Sequence, residues 1–183
     1  MIQAPVQPDT FERFVDEYVV HQPLLTKFRS PVITQMMQTR TRLLTLLHHG
    51  LFAPLVLISA PPGSGKTTLL TQWIPSLADE QISVAWLSLD ASDNEPFRFW
   101  NVVFAALAQK LPVFDPLQGN KAAGSIMALL TLLINIGTTQ QEPIVLVLDD
   151  YHTITDSTIQ KQMAYLIEHL PPHMHIVLST RLD

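Results

Sequence analysis

The chain has 183 residues, of which 47% are hydrophobic and 15% charged, and it carries a net charge of -5 at neutral pH. That length suffices for one domain with a full core. The lack of cysteine excludes a disulfide framework and a cysteine-based zinc site, and the acidic balance argues against direct nucleic-acid contact by this chain. No apolar run reaches the roughly 18–20 residues that cross a bilayer. The nearest, Ile126 to Ile136, is broken by Thr131 and Asn135 and reads as a buried helix. No basic stretch followed by an apolar core opens the chain, so the expectation is a cytoplasmic protein with no membrane contact.

Residues 1–30 read as an N-terminal arm. Phe11, Phe14, Val15 and Tyr18 recur at helical spacing behind Asp9 or Thr10 as a cap, and Pro23 and Pro31 bracket an irregular stretch. A domain over residues 31–183 follows. A helix begins near Thr39, with Leu43, Leu46 and Leu47 on its apolar face and Gly50 as its stop. The first strand is Leu55 to Ser59. Then comes Ala60-Pro61-Pro62-Gly63-Ser64-Gly65-Lys66-Thr67-Thr68 and a helical stretch from Leu69 to Leu77.

Strand, glycine-bearing loop and helix together form the context of a phosphate-binding loop, the Walker A motif, here in its relaxed form with Ala60 where the strict pattern has Gly. The chemistry needs these residue types. A polyphosphate must be wrapped in N–H donors, and Gly63 and Gly65 let the backbone approach without a Cβ. The following helix adds free N–H groups and a positive dipole end. Pro62, Gly63, Ser64, Gly65, Lys66, Thr67 and Thr68 are therefore candidate nucleotide-binding residues. Lys66 reaches the β- and γ-phosphates and Thr67 ligates Mg2+. The bland alternative is an ordinary strand-to-helix turn.

The second strand, Ser83 to Leu89, is apolar almost throughout, as in a parallel sheet covered on both faces. Ser92 and Glu95 have capping-box spacing ahead of a helix whose stripe is Phe97, Trp100, Phe104, Leu107 and Leu111. A loop from Pro112 to Asn120 and a helix from Lys121 to Ile136 come next. The third strand, Ile144 to Leu148, ends in Asp149-Asp150. A helix from about Ser157 to Leu170, capped by Asp156, stops before Pro171-Pro172. The fourth strand, His175 to Ser179, leads to Thr180-Arg181.

Strands alternating with helices predict a parallel sheet with right-handed crossovers, and its ligand belongs at the carboxyl ends of the strands. The loop from Ala60, Asp90, Asp149-Asp150 and Thr180-Arg181 all fall there. Asp149 suits the Walker B role of holding Mg2+. Asp150 suits a base that orients or deprotonates a water, or is simply solvated. Arg181 can balance charge on the γ-phosphate, or is a surface arginine. Arg40 and Arg42 precede the helix leading into the first strand, where such a segment can lie over the nucleotide base, or are solvated at a helix start. His152 packs or caps rather than catalyses, His48-His49 lack a second pair of ligands for zinc, and Trp86, Trp100 and Phe104 read as core.

These residues carry a family likeness. Leu25-Thr26-Lys27 ahead of Arg40-x-Arg42-Leu43, the phosphate loop, Trp86-Leu87-Ser88-Leu89-Asp90 with Asn94 and Phe99-Trp100, Leu146 to His152, and Leu170-Pro171-Pro172 through Leu178-Ser179-Thr180-Arg181 occur in one order over residues 24–183. The chain thereby resembles the nucleotide-binding domain of the signal-transduction ATPases with numerous domains (the STAND ATPases). Within them it resembles the large bacterial LuxR-type transcription regulators related to the maltose-regulon activator. The resemblance implies an α/β P-loop NTPase fold, with a parallel sheet ordered 1-4-3-2, helices on both faces, and the family's fifth strand missing. It implies ATP or ADP with Mg2+ as cofactors, Lys66 and Thr67 on phosphate and metal, Asp149 on Mg2+, Arg181 on the γ-phosphate and Arg40 near adenine. It also implies a switch whose sensor and DNA-reading domains lie downstream in a longer protein, with self-association through the open flank of the first strand. A slowly hydrolysing ATPase switch is the leading function. A non-hydrolysing nucleotide-binding interaction module is the alternative, and a P-loop small-molecule kinase is disfavoured because no arginine-bearing lid stands out.

Overall fold

A computed structural model describes residues 23–32, 38–114 and 125–181. The helix expected around Phe11 to Tyr18 and the first residues of the helix expected from Lys121 lie outside the described residues.

Among the described residues five helices alternate with four strands: α1 (Thr41–Gly50), β1 (Leu55–Ser59), α2 (Lys66–Asp79), β2 (Ser83–Ser88), α3 (Pro96–Ala108), α4 (Ile126–Thr139), β3 (Ile144–Asp149), α5 (Ser157–Glu168) and β4 (Met174–Thr180). The sheet is parallel throughout, as the alternation of strands and helices predicts, and its order, β1-β4-β3-β2, is the one the family resemblance implies. Register aligns the carboxyl ends: Ser59 pairs with Thr180, and Ser88 with Asp149. The polar residues that follow each strand therefore gather along one edge.

Period-two alternation along the strands feeds two cores. On one face Val145, Val147, Val177 and Trp86 pack with Leu70, Trp73 and Leu77 of α2 and Leu47 of α1. On the other face Leu146, Leu148, Ile176, Ala85 and Leu87 pack with α3, α4 and α5. Trp86, Trp100 and Phe104 are all core residues, as read from the sequence. The strand β3, buried at every position, is the central rod that carries Asp149 to the site.

Several local expectations change. Gly50 is the last residue of α1 rather than a left-handed stop. A Cβ there would lie 2.6 Å from Val56 Cγ2, so the glycine allows α1 to close against β1. The capping box falls on Asp90 and Asp93, and Glu95 caps α3 alone by accepting from the Arg98 N–H. Helix α3 buries nearly its whole circumference instead of a single stripe, while Phe97 is only partly buried. Asp156 caps α5 as expected, accepting from the Thr158 and Ile159 N–H groups. The stretch after Pro23, expected to be irregular, contains one 3-10 turn, Leu25–Phe28.

Candidate functional site

The loop between β1 and α2 takes its shape from two glycines. Gly63 and Gly65 adopt φ of +74° and +87°, a region where other residues are strained. Apart from Gly63 and its two chain neighbours, no heavy atom lies within 4 Å of where a Cβ on Gly63 would sit, so the backbone there is open to a ligand. Helix α2 starts at Lys66 with no side-chain cap, and its first hydrogen bond runs from the Leu69 N–H to the Gly65 carbonyl. The N–H groups of Lys66, Thr67 and Thr68 thus remain free for an anion. The Ser64 hydroxyl is buried without a partner, an orphaned polar atom inside the cradle. Lys66 Nζ donates to the carbonyls of Ala60 at 2.7 Å and Pro61 at 3.1 Å. Pro62 is an exposed member of the loop.

Across the sheet edge, Asp149 ends β3 and is only 3% exposed. Its Oδ2 accepts from Thr67 Oγ1 at 2.8 Å, so residues 82 apart in sequence meet at the helix start. Its Oδ1 is buried with no partner. A hydroxyl and a carboxylate with a spare oxygen fit Mg2+, which keeps several waters and takes one or two carboxylates plus substrate phosphates. Among the described residues no cluster of three or more acids or histidines forms an all-protein cage.

Asp150 follows directly on β3 but does not continue its extended backbone. It sits in the left-handed region at φ 58°, ψ 36°, which aspartate tolerates better than most residues. Its carbonyl accepts from both the N–H and the hydroxyl of Thr153, closing a tight turn. The carboxylate is partly exposed and lies 3.6 Å from His152 Nδ1, too long for a hydrogen bond. Tyr151 anchors the turn, packing edge-on to Phe99 at 6.5 Å, and burial pushes its phenol pKa up.

Arg181 is exposed at the same edge. It follows Thr180, whose carbonyl accepts from the Ala60 N–H at 3.4 Å. Arg40, the residue before α1, donates from Nη1 to the Ser64 carbonyl at 2.9 Å, and its Nη2 lies 3.6 Å from the point where a Gly65 Cβ would be. A cavity of about 340 Å³ opens beside this contact. The segment before α1 contributes Gln38 and Arg40 to its wall, and the loop and α2 contribute Gly63, Gly65, Thr68, Leu69 and Gln72. Arg42 is exposed and is not part of that wall, so the structure brings only Arg40 of the pair to the loop.

Asp90 plays a different part from the other strand-end acids. Lys27 Nζ contacts its Oδ2 at 2.8 Å and also donates to both oxygens of the fully buried Asp93. Lys27 and then Ser92 hold the Asp90 carboxyl down at about 2. Asn94 ties the same loop to the head of α5, accepting from the Thr155 and Asp156 N–H groups and donating to the Thr155 hydroxyl. Sequence reading missed Lys27 and Asp93 as a pair, and it missed Gln38 and Gln72 as wall residues. No spacing rule links residues 66 apart, and a glutamine carries no motif.

Residues 37–178 match the AAA ATPase domain family. The chain belongs to this family. The AAA ATPase domain is also similar to the HTH-type transcriptional regulator MalT of Vibrio cholerae, with 35% identity over 146 residues, covering 78% of this chain and 16% of that protein. MalT of Serratia proteamaculans is 34% identical over 160 residues, covering 85% of this chain and 17% of that protein. The domain thus spans about a sixth of the length of these relatives, in keeping with the resemblance read from its motifs. Among solved structures, Cdc6p of Pyrobaculum aerophilum superposes with a TM-score of 0.57 at 17% identity, over 86% of this chain and 43% of that one. ORC2 of Aeropyrum pernix, solved as ADPNP and ADP complexes, gives 0.54 at 14% identity, over 85% and 44%. At such identities the likeness shows the fold.

Proposed function

We propose that this AAA ATPase domain is an ATP-binding, slowly hydrolysing switch within a bacterial transcription regulator. The observation that carries the reading is the contact of Thr67 with the buried Asp149 beside the glycine loop. Gly63 to Thr68 wrap the phosphates with backbone N–H groups, and Lys66 exchanges its two carbonyl partners for phosphate oxygens. Thr67 and Asp149 hold Mg2+, which when bound supplies charge neutralisation at the phosphates. Asp150 orients or deprotonates the attacking water, and Arg181 balances charge on the γ-phosphate.

The similarity to MalT regulators supports the regulatory role, with sensing and DNA-reading domains elsewhere in a longer cytoplasmic protein. The nucleotide-binding domain is taken as residues 31–183, with residues 1–30 ahead of it as an N-terminal arm in the sequence. Among the described residues no strand pairs with the outer side of β1, and Leu57 on it is exposed. That flank suits self-association or further chain. The second reading is a nucleotide-binding module without turnover, and hydrolysis by the purified chain separates the two.

Lys66→Ala tests the site. A charge-assisted contact of this kind is worth roughly 1.5–3 kcal/mol, so ATP and ADP are expected to bind about ten- to a hundredfold more weakly by calorimetry. Equal affinities for the two proteins would remove Lys66 from the site.

A further inference from the structure

We propose that Gln38 and Gln72 form a base-reading pair that makes this site prefer adenine to guanine nucleotides; the inference rests on the nucleotide-binding reading above. The cavity beside the phosphate loop does not end where phosphates would end. Gly65, Thr68, Leu69 and Gln72 follow one another at helical spacing and line one side of it. Seven residues of helix extend about 10 Å beyond the glycine cradle. With the phosphates held at residues 63–68, the space toward Gln72 belongs to the sugar and base.

The wall there is polar. Gln72 comes from a rigid helix whose next residue, Trp73, is fully buried in the core. Gln38 comes from the segment that Arg40 pins to the loop through the Ser64 carbonyl. Neither carboxamide hydrogen-bonds to another described residue, so both donors and the acceptor of each remain available. A carboxamide offers one donor and one acceptor side by side. These match the N6 amine and N7 of adenine, whereas the same edge of guanine presents two acceptors. Arg40, bonded to a backbone carbonyl, carries no such discrimination.

The test compares ATP, GTP and inorganic tripolyphosphate binding to the purified chain and to the double variant Gln38→Ala/Gln72→Ala. The unaltered chain is expected to favour ATP, and the variant to lose about tenfold of the ATP-to-GTP ratio while holding tripolyphosphate as before. A ratio unchanged by the double substitution overturns the proposal, and so does an equal loss of all three ligands, since the effect would then not concern the base. A chain that binds tripolyphosphate and ATP with no base preference overturns this inference alone. A chain that binds neither overturns the nucleotide-binding reading with it.

Discussion

Asp150→Asn is expected to bind ATP as tightly as the unaltered chain and to hydrolyse it about a hundred- to ten-thousandfold more slowly. That range is what a positioned general base contributes. The two adjacent acids have unlike surroundings, and this is the reason for expecting unlike roles. Asp149 is buried and bonded to Thr67 at the head of α2. Asp150 is turned out of the strand by its left-handed backbone, partly exposed, with no hydrogen bond to its carboxylate among the described residues. It is therefore expected to contribute little to binding and to be free to meet a water. The substitution keeps the shape, and asparagine adopts the left-handed conformation as readily as aspartate, so the turn should survive. Single-turnover hydrolysis is the measurement, because it detects chemistry even when steady-state turnover is very slow. An unchanged rate would show that Asp150 is no base. A chain with no turnover at all would favour the binding-only module.

Asp93→Ala is expected to cost about 3–5 kcal/mol of stability, the usual effect of removing one partner from a buried ion pair. Asp93 is fully buried, accepts two bonds from Lys27 and also receives the Asp90 N–H at 2.9 Å. Its loss strands the nearly buried Lys27 ammonium with the more exposed Asp90 as its remaining acid and removes the acceptor of the partly buried Asp90 N–H. Against a total of about 5–15 kcal/mol for a domain, that is a large fraction, and the melting temperature should fall on the order of 10 °C. Urea unfolding gives the number directly. Because Lys27 lies ahead of α1 and Asp93 follows β2, the loss should also free the N-terminal segment from the sheet edge. A change below about 1 kcal/mol would mean the pair contributes no net stability.

Much of the fold is legible because its causes are local. The apolar runs read at 55–59, 83–89, 144–148 and 175–179 become strands, and the inner ones need no polar alternation because helices cover both faces of the parallel sheet. The phosphate loop declares itself through glycines whose positive φ no other residue would adopt cheaply. Asp149 is legible because it ends a buried strand. What escapes the sequence depends on distance or on a choice among near-equals. Asp90, Ser92, Asp93 and Glu95 all carry capping side chains, and only the position of Lys27 selects Asp90 with Asp93. Arg40 and Arg42 are alike on paper. The start of α1 at Thr41 places one of them over Gly65 and the other in solvent. Gly50 looks like a stop until the packing of Val56 against it is known. Asp150 follows directly on an apolar strand, and nothing in the sequence announces the turn that Thr153 closes on it.

If Thr67 and Asp149 hold the metal together, nucleotide binding depends on a divalent cation. One calorimetric series measures this dependence, with ATP titrated with and without Mg2+ into the unaltered chain and into Asp149→Asn. Mg2+ is expected to tighten ATP binding to the unaltered chain, and Asp149→Asn to lose most of this gain while staying folded. If Mg2+ tightens binding equally in both proteins, or in neither, the pairing of Thr67 with Asp149 is a structural hydrogen bond and the proposed metal site is wrong.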